Sequence, residues 1–415
     1  APRQVLAWAR QEASAGHHLA VLGMGRNLTR VLLLEALQNG VVDFLVKPFT
    51  PEFAQARIEK ALKLVFADGE DEIAEDGLSP QERVRLGVQR ATGTLALPHV
   101  VSKTLQLCSD PSANVASFVT PLQSDAAITA MLLRLANSVL YAKQGKITSI
   151  QEAIVRVGVK NVRNMVVTAS VFKLVSTGSD FITFNRLWYW EHSLAVGVIA
   201  RIIAGRAKGC SPEDAFIAGL LHDIGKPILD DYARADFNRA IRSAALKGIP
   251  LHQAEMEIFG TNHAKVAEML LKKWDFSEDL VAAVSGHHPT EEAPSSGGLL
   301  GEVVGLANQV AKALCIGAAG DFTVEEPPGE LLDRLNAREL LEDPGFSGRV
   351  HEEIRGFLEV LGMRQTKLHW ISGSDERKGQ VRWKAPRRPL LSLFLGAFGL
   401  DRVVGDDVPA VPVEV

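Results

Sequence analysis

The chain has 415 residues, 47% of them hydrophobic, and a formal net charge of −4 at pH 7. This length predicts two or three globular domains, and the absence of a basic excess argues against DNA as a partner. No apolar run is long enough to cross a bilayer, no signal peptide is evident, and three cysteines without paired spacing indicate reduced thiols, so we expect a cytoplasmic protein.

The first 66 residues alternate between strand and helix patterns. Two short apolar runs, residues 19–25 and 41–49, are typical of buried parallel strands. Between them, residues 28–40 form an amphipathic pattern that ends in Asn-Gly. A second helix is predicted from Thr50 as N-cap, with proline at its first position.

This segment resembles the last two β-α units of a response-regulator receiver domain, which implies a role in two-component signalling. Lys47, which precedes Pro48, would then be the lysine that contacts a phosphorylated aspartate. The alternative is a solvated lysine at a strand end. The acidic cluster and phosphoacceptor of a receiver are not found in these residues, so we name no phosphorylation site. We expect this partial segment to lean on another domain or chain.

The remaining chain divides by composition. Residues 67–85 are predicted to be an acidic linker, and residues 86–362 show apolar residues three and four apart, which indicates helices. Residues 363–415 are first basic and then apolar. The apolar part is too short to span a membrane; docking within an oligomer is favoured over contact with a membrane surface.

The most informative stretch, residues 215–230, reads AFIAGLLHDIGKPILD. His222 and Asp223 stand together at the end of an apolar helix, where ionisable groups are costly unless they are paired or bound to metal. An imidazole beside a carboxylate suits Mn, Fe, Mg or Zn. Gly225 is expected to end the helix, and Lys226 could reach an anion held by the metal. The alternative is a capped helix end with an incidental His-Asp pair.

More histidines stand on or at the ends of successive helical runs: His192, His263, His287 and His288. Metal sites in helical bundles are built from side chains on facing helices, so these residues are further candidate ligands. His252 competes with His263 as a ligand. His263 is favoured because it opens a helix whose apolar face would turn it inward, whereas His252, before Gln253, looks solvated.

These residues resemble the HD superfamily of helical phosphohydrolases, and more closely its HDOD branch, over roughly residues 90–310. LLRLANSVLY and ITSIQEAIVRVGVKNVRNMVV carry the HDOD resemblance. In the first of these strings, Asn137 is favoured as an amide that hydrogen-bonds between helices rather than as a ligand contact. Three residues match the first metal ligands of HD enzymes: His192, His222 and Asp223. The HD-GYP branch, which hydrolyses cyclic di-GMP, adds counterparts of four more: Lys226, His263, His287 and His288.

Three departures weaken the enzyme reading. Asn308 stands where the HD enzymes have a late metal-binding aspartate, and offers only a weak neutral ligand. No Gly-Tyr-Pro follows His288. Trp188 replaces a glutamate of the HD-GYP enzymes. A phosphodiesterase is therefore disfavoured, although one bound metal remains compatible with the sequence.

The sequence thus predicts a mainly α protein: an all-helical HDOD domain, with an HD-like core at residues 185–315, preceded by a partial α/β receiver-like segment. Two functions stay open. The favoured one is a regulatory scaffold for bacterial signalling that binds a protein partner or a nucleotide second messenger, forms a homo-oligomer and performs no catalysis. The other is a metal-dependent phosphohydrolase acting on a nucleotide or cyclic dinucleotide, in which Asp223 holds the metal and Lys226 stabilises phosphoryl charge.

Overall fold

The structure, a computed structural model, describes residues 21–25, 41–46, 78–94, 97–138, 141, 145–175, 184–288, 297–321 and 323–361. The chain divides into two compact units, one formed by residues 1–70 with 384–415 and the other by residues 71–383. The predicted C-terminal tail, residues 363–415, lies outside the described residues.

In the first unit, two strands pair in parallel: β1 (Val21–Gly25) and β2 (Val41–Val46). Both lie within the apolar runs that predicted strands. The predicted helices of this segment and Lys47 lie outside the described residues, so the receiver assignment stays a prediction.

The regular elements described in the second unit are all helices. Its first six helices are α1 (Pro80–Thr94), α2 (His99–Ser109), α3 (Val115–Gln123), α4 (Ala126–Ala136), α5 (Ile150–Val157) and α6 (Val159–Val175). The following five are α7 (Arg186–Ala204), α8 (Pro212–Leu221), α9 (Gly225–Tyr232), α10 (Arg234–Lys247) and α11 (Leu251–Phe259). The last six are α12 (His263–Lys273), α13 (Glu278–Ser285), α14 (Gly298–Ala313), α15 (Gly329–Arg334), α16 (Arg338–Glu342) and α17 (Phe346–Val360).

The structure differs from the predicted linker at its end. Residues 67–85 were expected to connect the domains, but α1 begins at Pro80 and packs on α9, α11 and α12. Val84 and Val88 are buried in this contact, and Arg83 forms an ion pair with Asp236 at 2.9 Å. The acidic composition of the preceding residues hid the amphipathic start of this helix.

Several helices begin at side chains that cap the free backbone N–H groups of the first turn. The capping residues are Asn114, Asp125, Ser149, Asn185, Ser211 and Asn262. The last of these fixes the start of α12, and therefore fixes where His263 lies.

Helix α7 is the centre of the unit. It packs on α8, α14 and α17, and nearly all of its residues are buried. Gly197 on α7 meets Gly219 on α8: a Cβ added to Gly219 would lie 2.9 Å from the Cα of Gly197 and 2.8 Å from the carbonyl oxygen of Val196. Because neither glycine carries a side chain, the two backbones come into direct contact.

Asn137 has a local structural role. It is exposed, yet its amide donates to the carbonyl oxygens of Leu133 and Ile147, both at 2.8 Å, and accepts from the Ile147 N–H at 2.9 Å. It therefore joins the end of α4 to the segment before α5, rather than bridging buried helices as expected.

None of the helices in the described part of the chain combines the length and apolar character that a membrane crossing requires.

Candidate metal centre

The predicted ligands converge from four places in the helical unit. His192 lies in the middle of α7, His222 and Asp223 lie in the turn between α8 and α9, and His263 is the first residue of α12. His287 and His288 follow α13. The side chains of this set are buried, except that His288 is half-buried.

Glycines permit this convergence. Gly225 was expected to end the preceding helix, but that helix ends at Leu221 and Gly225 is the first residue of α9. A Cβ on Gly225 would lie 2.0 Å from the carbonyl oxygen of His263, so its role is to let α9 touch α12. Similarly, a Cβ on Gly305 would lie 2.9 Å from the carbonyl oxygen of His287.

The ligand atoms form two groups that share Asp223. In the first group, Oδ2 of Asp223 lies 3.2 Å from Nε2 of His222 and 4.0 Å from Nε2 of His192. The Nζ of Lys226 lies 2.6 Å from the same oxygen. Nε2 of His192 is also 3.0 Å from Oδ1 of Asn308. Oδ2 of Asp223 and Nε2 of His192 therefore each have another partner within hydrogen-bond distance.

In the second group, Oδ1 of Asp223 lies 3.1 Å from Nε2 of His263 and 3.8 Å from Nε2 of His287. Nε2 of His263 is 3.0 Å from Nε2 of His288. The four ligand atoms lie within 4.8 Å of one another. The carboxylate of Asp223 thus presents one oxygen to each group.

The outer nitrogen of three rings is held by the protein. Nδ1 of His222 lies 2.7 Å from the Gly219 carbonyl oxygen, and Nδ1 of His287 lies 2.6 Å from that of Val284. Nδ1 of His263 lies 2.6 Å from Oε2 of Glu255. Each ring can therefore donate an Nδ1 proton outward and keep Nε2 for a cation beside Asp223, which is the arrangement that metal-binding histidines show.

The charge states suit a cation. Burial alone would raise the pKa of Asp223, but the His222 ring and the Lys226 ammonium hold it well below its usual range. Burial also lowers the pKa of His287 and His288 well below the usual histidine value, so both rings are neutral at pH 7. Neutral imidazoles and an ionised carboxylate are the protonation states that bind metal.

The unsatisfied atoms give an independent test of fit. Among the candidate ligand atoms, three are buried without a hydrogen-bond partner in the described residues: Nε2 of His222, Oδ1 of Asp223 and Nε2 of His287. A buried polar atom without a partner is costly. Because two of these atoms belong to the second group, a divalent cation there would satisfy them, and the donor set suits Zn, Fe or Mn.

Two neighbours of the cluster differ from expectation or were missed. His252 was expected to be solvated, but its ring is half-buried and stacks on His288 with centroids 4.2 Å apart. Burial lowers its pKa to about 4. Glu255, fully buried, was not identified from sequence; an acidic residue on the inner face of an apolar helix was the available signal.

Comparisons with known proteins agree with this fold. Residues 95–290 match the family model of the HDOD domain. An HDOD domain protein of unknown function from Geobacter sulfurreducens is 26% identical, with a TM-score of 0.51, over 71% of this chain and 98% of that one. A Shewanella amazonensis SB2B structure, provisionally named a phosphohydrolase, is 21% identical, with a TM-score of 0.50, over 67% and 97% of the two chains. The last likeness shows the fold alone.

A curated relative, an uncharacterized protein from Treponema pallidum (strain Nichols), is 24% identical over 243 residues, which is 57% of this chain and 45% of that protein. The chain thus matches less than half the length of that relative. The HDOD prediction is confirmed for residues 95–290, and the mainly helical fold is confirmed with it.

Proposed function

We propose that this chain is a cytoplasmic signal-transduction protein whose HDOD domain is a regulatory scaffold that holds a divalent cation and does not hydrolyse phosphoesters. The observation that carries the proposal is the buried cluster around Asp223, whose side chain is fully enclosed, as are those of His222 and His263. A hydrolase needs an open coordination position for water and substrate, whereas a structural site is closed.

The chemistry of the ligands supports the same choice. At position 308 an amide replaces a carboxylate, and its oxygen is engaged by His192 at 3.0 Å. A neutral amide binds a cation more weakly and does less to hold a hydroxide beside it. A bound cation would instead tie α9, α12 and the end of α13 together, so its binding energy would become folding energy of this half of the unit.

The remaining parts of the proposal concern input and output. The N-terminal segment, with Lys47, would supply a receiver-like input of a two-component system. The output would be a protein partner, or a nucleotide second messenger bound by a homo-oligomer. Contact of residues 363–415 with a membrane surface is the less favoured alternative.

Metal loading and turnover of the full chain test the proposal together. Protein freed of metal with a chelator is reloaded with Zn(II), Mn(II) or Fe(II), and its metal content, melting temperature and hydrolysis of cyclic di-GMP are measured. We expect a cation to be retained after gel filtration and to raise the melting temperature, because a ligand at 1,000 times its Kd stabilises by about 4 kcal/mol. We expect no turnover.

The variant His263→Ala removes a ligand, and His99→Ala is its matched control, because His99 is exposed at the start of α2. We expect that added metal raises the melting temperature of His99→Ala but not that of His263→Ala. Absence of bound metal from the unaltered chain would refute the proposal. So would turnover that disappears in His263→Ala.

A second candidate function, the metal-dependent phosphohydrolase, is favoured by one feature. Lys226 is buried, with 1% of its surface exposed, and lies in the ligand cluster. An ammonium group there could stabilise charge on a phosphoryl oxygen, while a bound cation would supply activated water. Turnover of cyclic di-GMP that is lost in Lys226→Met, with metal retained, would select this candidate.

A further inference from the structure

We infer that the helical unit binds one cation and not two, at the group formed by Asp223, His263, His287 and His288, and that Lys226 fills the place of a cation in the other group. This inference rests on the proposed cation binding and states where the cation lies. From the sequence all six residues are candidate ligands, and three of them match the first metal ligands of HD enzymes: His192, His222 and Asp223.

The ammonium of Lys226 already neutralises one end of the carboxylate. Nζ lies 2.6 Å from Oδ2 of Asp223, and both side chains have 1% of their surface exposed. A divalent cation bound to that oxygen would lie within a few ångströms of a buried positive charge. In a medium of low dielectric constant this repulsion is large, because buried charges are screened much less than charges at the surface. The first group is therefore disfavoured while Lys226 keeps its position.

His192 is also engaged. Its Nε2 lies 3.0 Å from Oδ1 of Asn308, and its Nδ1 lies 3.4 Å from the carbonyl oxygen of Ile316. Both ring nitrogens thus face oxygen atoms. The shorter contact is the one to Asn308, and a ring proton on Nε2 would donate to it, whereas Nε2 is the atom that would have to bind a metal.

The position of His192 is fixed by backbone contacts as well. Gly317, at φ +68°, lies against it so closely that a Cβ there would be 2.1 Å from the His192 backbone nitrogen. The N–H of Ala318 donates to the carbonyl oxygen of Trp188 at 2.9 Å. The segment after α14 therefore holds this part of α7 against Asn308.

The second group contains two of the three unpartnered ligand atoms, whereas only Nε2 of His222 belongs to the first group alone. Oδ1 of Asp223 and Nε2 of His287 have no hydrogen-bond partner among the described residues. Ligand atoms of a tetrahedral cation lie about 3.4 Å apart, given bonds of about 2.1 Å. The separations from Oδ1 of Asp223 to His263 and His287 are 3.1 and 3.8 Å, and Nε2 of His263 is 3.0 Å from that of His288. These three distances lie on both sides of the tetrahedral value, and all four ligand atoms lie within 4.8 Å of one another.

A buried carboxylate lies behind one ligand of this group. Glu255 accepts from both the backbone N–H and Nδ1 of His263, at 2.9 and 2.6 Å. A carboxylate behind a ligating imidazole fixes its orientation and raises its basicity. We therefore assign a three-histidine, one-carboxylate site, suited to Zn(II), Fe(II) or Co(II).

Titration of the metal-free full chain with Co(II) tests the assignment, because four-coordinate Co(II) absorbs visible light far more strongly than six-coordinate Co(II). We expect saturation at one equivalent with the strong four-coordinate spectrum. His287→Ala should lose this spectrum and weaken binding at least 100-fold. His192→Ala should keep both the spectrum and the stoichiometry. Circular dichroism establishes that each variant is folded.

A double variant tests why the first group does not bind a metal. Lys226→Met combined with Asn308→Asp removes the ammonium and restores a carboxylate, and should bind a second equivalent. Two equivalents in the unaltered chain, or a single one lost in His192→Ala but kept in His287→Ala, would overturn the assignment while leaving cation binding intact. Failure of the double variant to gain a second equivalent would overturn the role given to Lys226 and Asn308. No Co(II) binding at all would refute the proposed function itself.

Discussion

Replacement of Gly225 by alanine adds one methyl group and should lower the stability of the folded protein strongly. The new Cβ would lie 2.0 Å from the carbonyl oxygen of His263, 2.9 Å from its carbonyl carbon and 3.1 Å from the backbone nitrogen of Ala267. All three atoms belong to the backbone of the first turns of α12. No side-chain rotation relieves the clash, so α9 or α12 must move.

Overpacking a core with a methyl group typically costs about 1–3 kcal/mol. Because the contact is with backbone, we expect the loss in the free energy of unfolding of Gly225→Ala to lie at the upper end of this range, about 3 kcal/mol. The better helix propensity of alanine offsets up to about 1 kcal/mol of this loss. Urea unfolding followed by far-UV circular dichroism measures this difference. Since α12 begins with His263, the same variant should also bind Co(II) more weakly.

Gly348→Ala is the matched control. Gly348 lies inside α17, and a Cβ there would have nothing within 4 Å. Alanine should therefore stabilise the protein by up to about 1 kcal/mol. A Gly225→Ala protein within about 0.5 kcal/mol of the unaltered chain would refute the close contact between α9 and α12, and with it the geometry of the metal centre.

Three further changes have defined outcomes. Glu255→Gln removes the charge behind His263 and should weaken Co(II) binding about 10- to 100-fold; an unchanged Kd would contradict its positioning role. Burial would raise the pKa of Asp321, but the Lys312 ammonium holds it at about 2. The pair should therefore add about 2 kcal/mol to the free energy of unfolding above pH ~4, and this contribution should disappear as the pH falls toward 2. Acid unfolding of Asp321→Asn should lack that part of the pH dependence, and an unchanged profile would exclude the pair. Asn137→Ala should lower the free energy of unfolding by about 2 kcal/mol, because three hydrogen bonds are lost. Urea unfolding that shows no difference from the unaltered chain would contradict the structural role of Asn137.

The histidine set could be selected from sequence because ionisable groups within apolar helical runs carry an energetic penalty that implies partners. The helix that begins at His263 could be anticipated from the same periodicity, and its start follows from the Asn262 side chain, which accepts a hydrogen bond from the Lys265 N–H. Local chemistry thus fixes where the ligands lie along the chain. Their metal binding stays a prediction.

What the sequence could not supply are the contacts between distant elements. Gly225 follows an apolar helix and predicts its end, but its requirement comes from the carbonyl oxygen of His263 on another helix. His252, next to glutamine, has the pattern of a solvated residue, yet its ring stacks on His288. Each of these depends on packing that no local pattern encodes.

The most direct test of the account is anomalous diffraction at the absorption edge of the bound metal, from crystals of the Zn(II)- or Co(II)-loaded chain. The account predicts one peak in the helical unit, surrounded by Asp223, His263, His287 and His288, with Lys226 still paired to the other oxygen of Asp223. A peak between His192 and His222, or no peak at full metal loading of the solution, would contradict it.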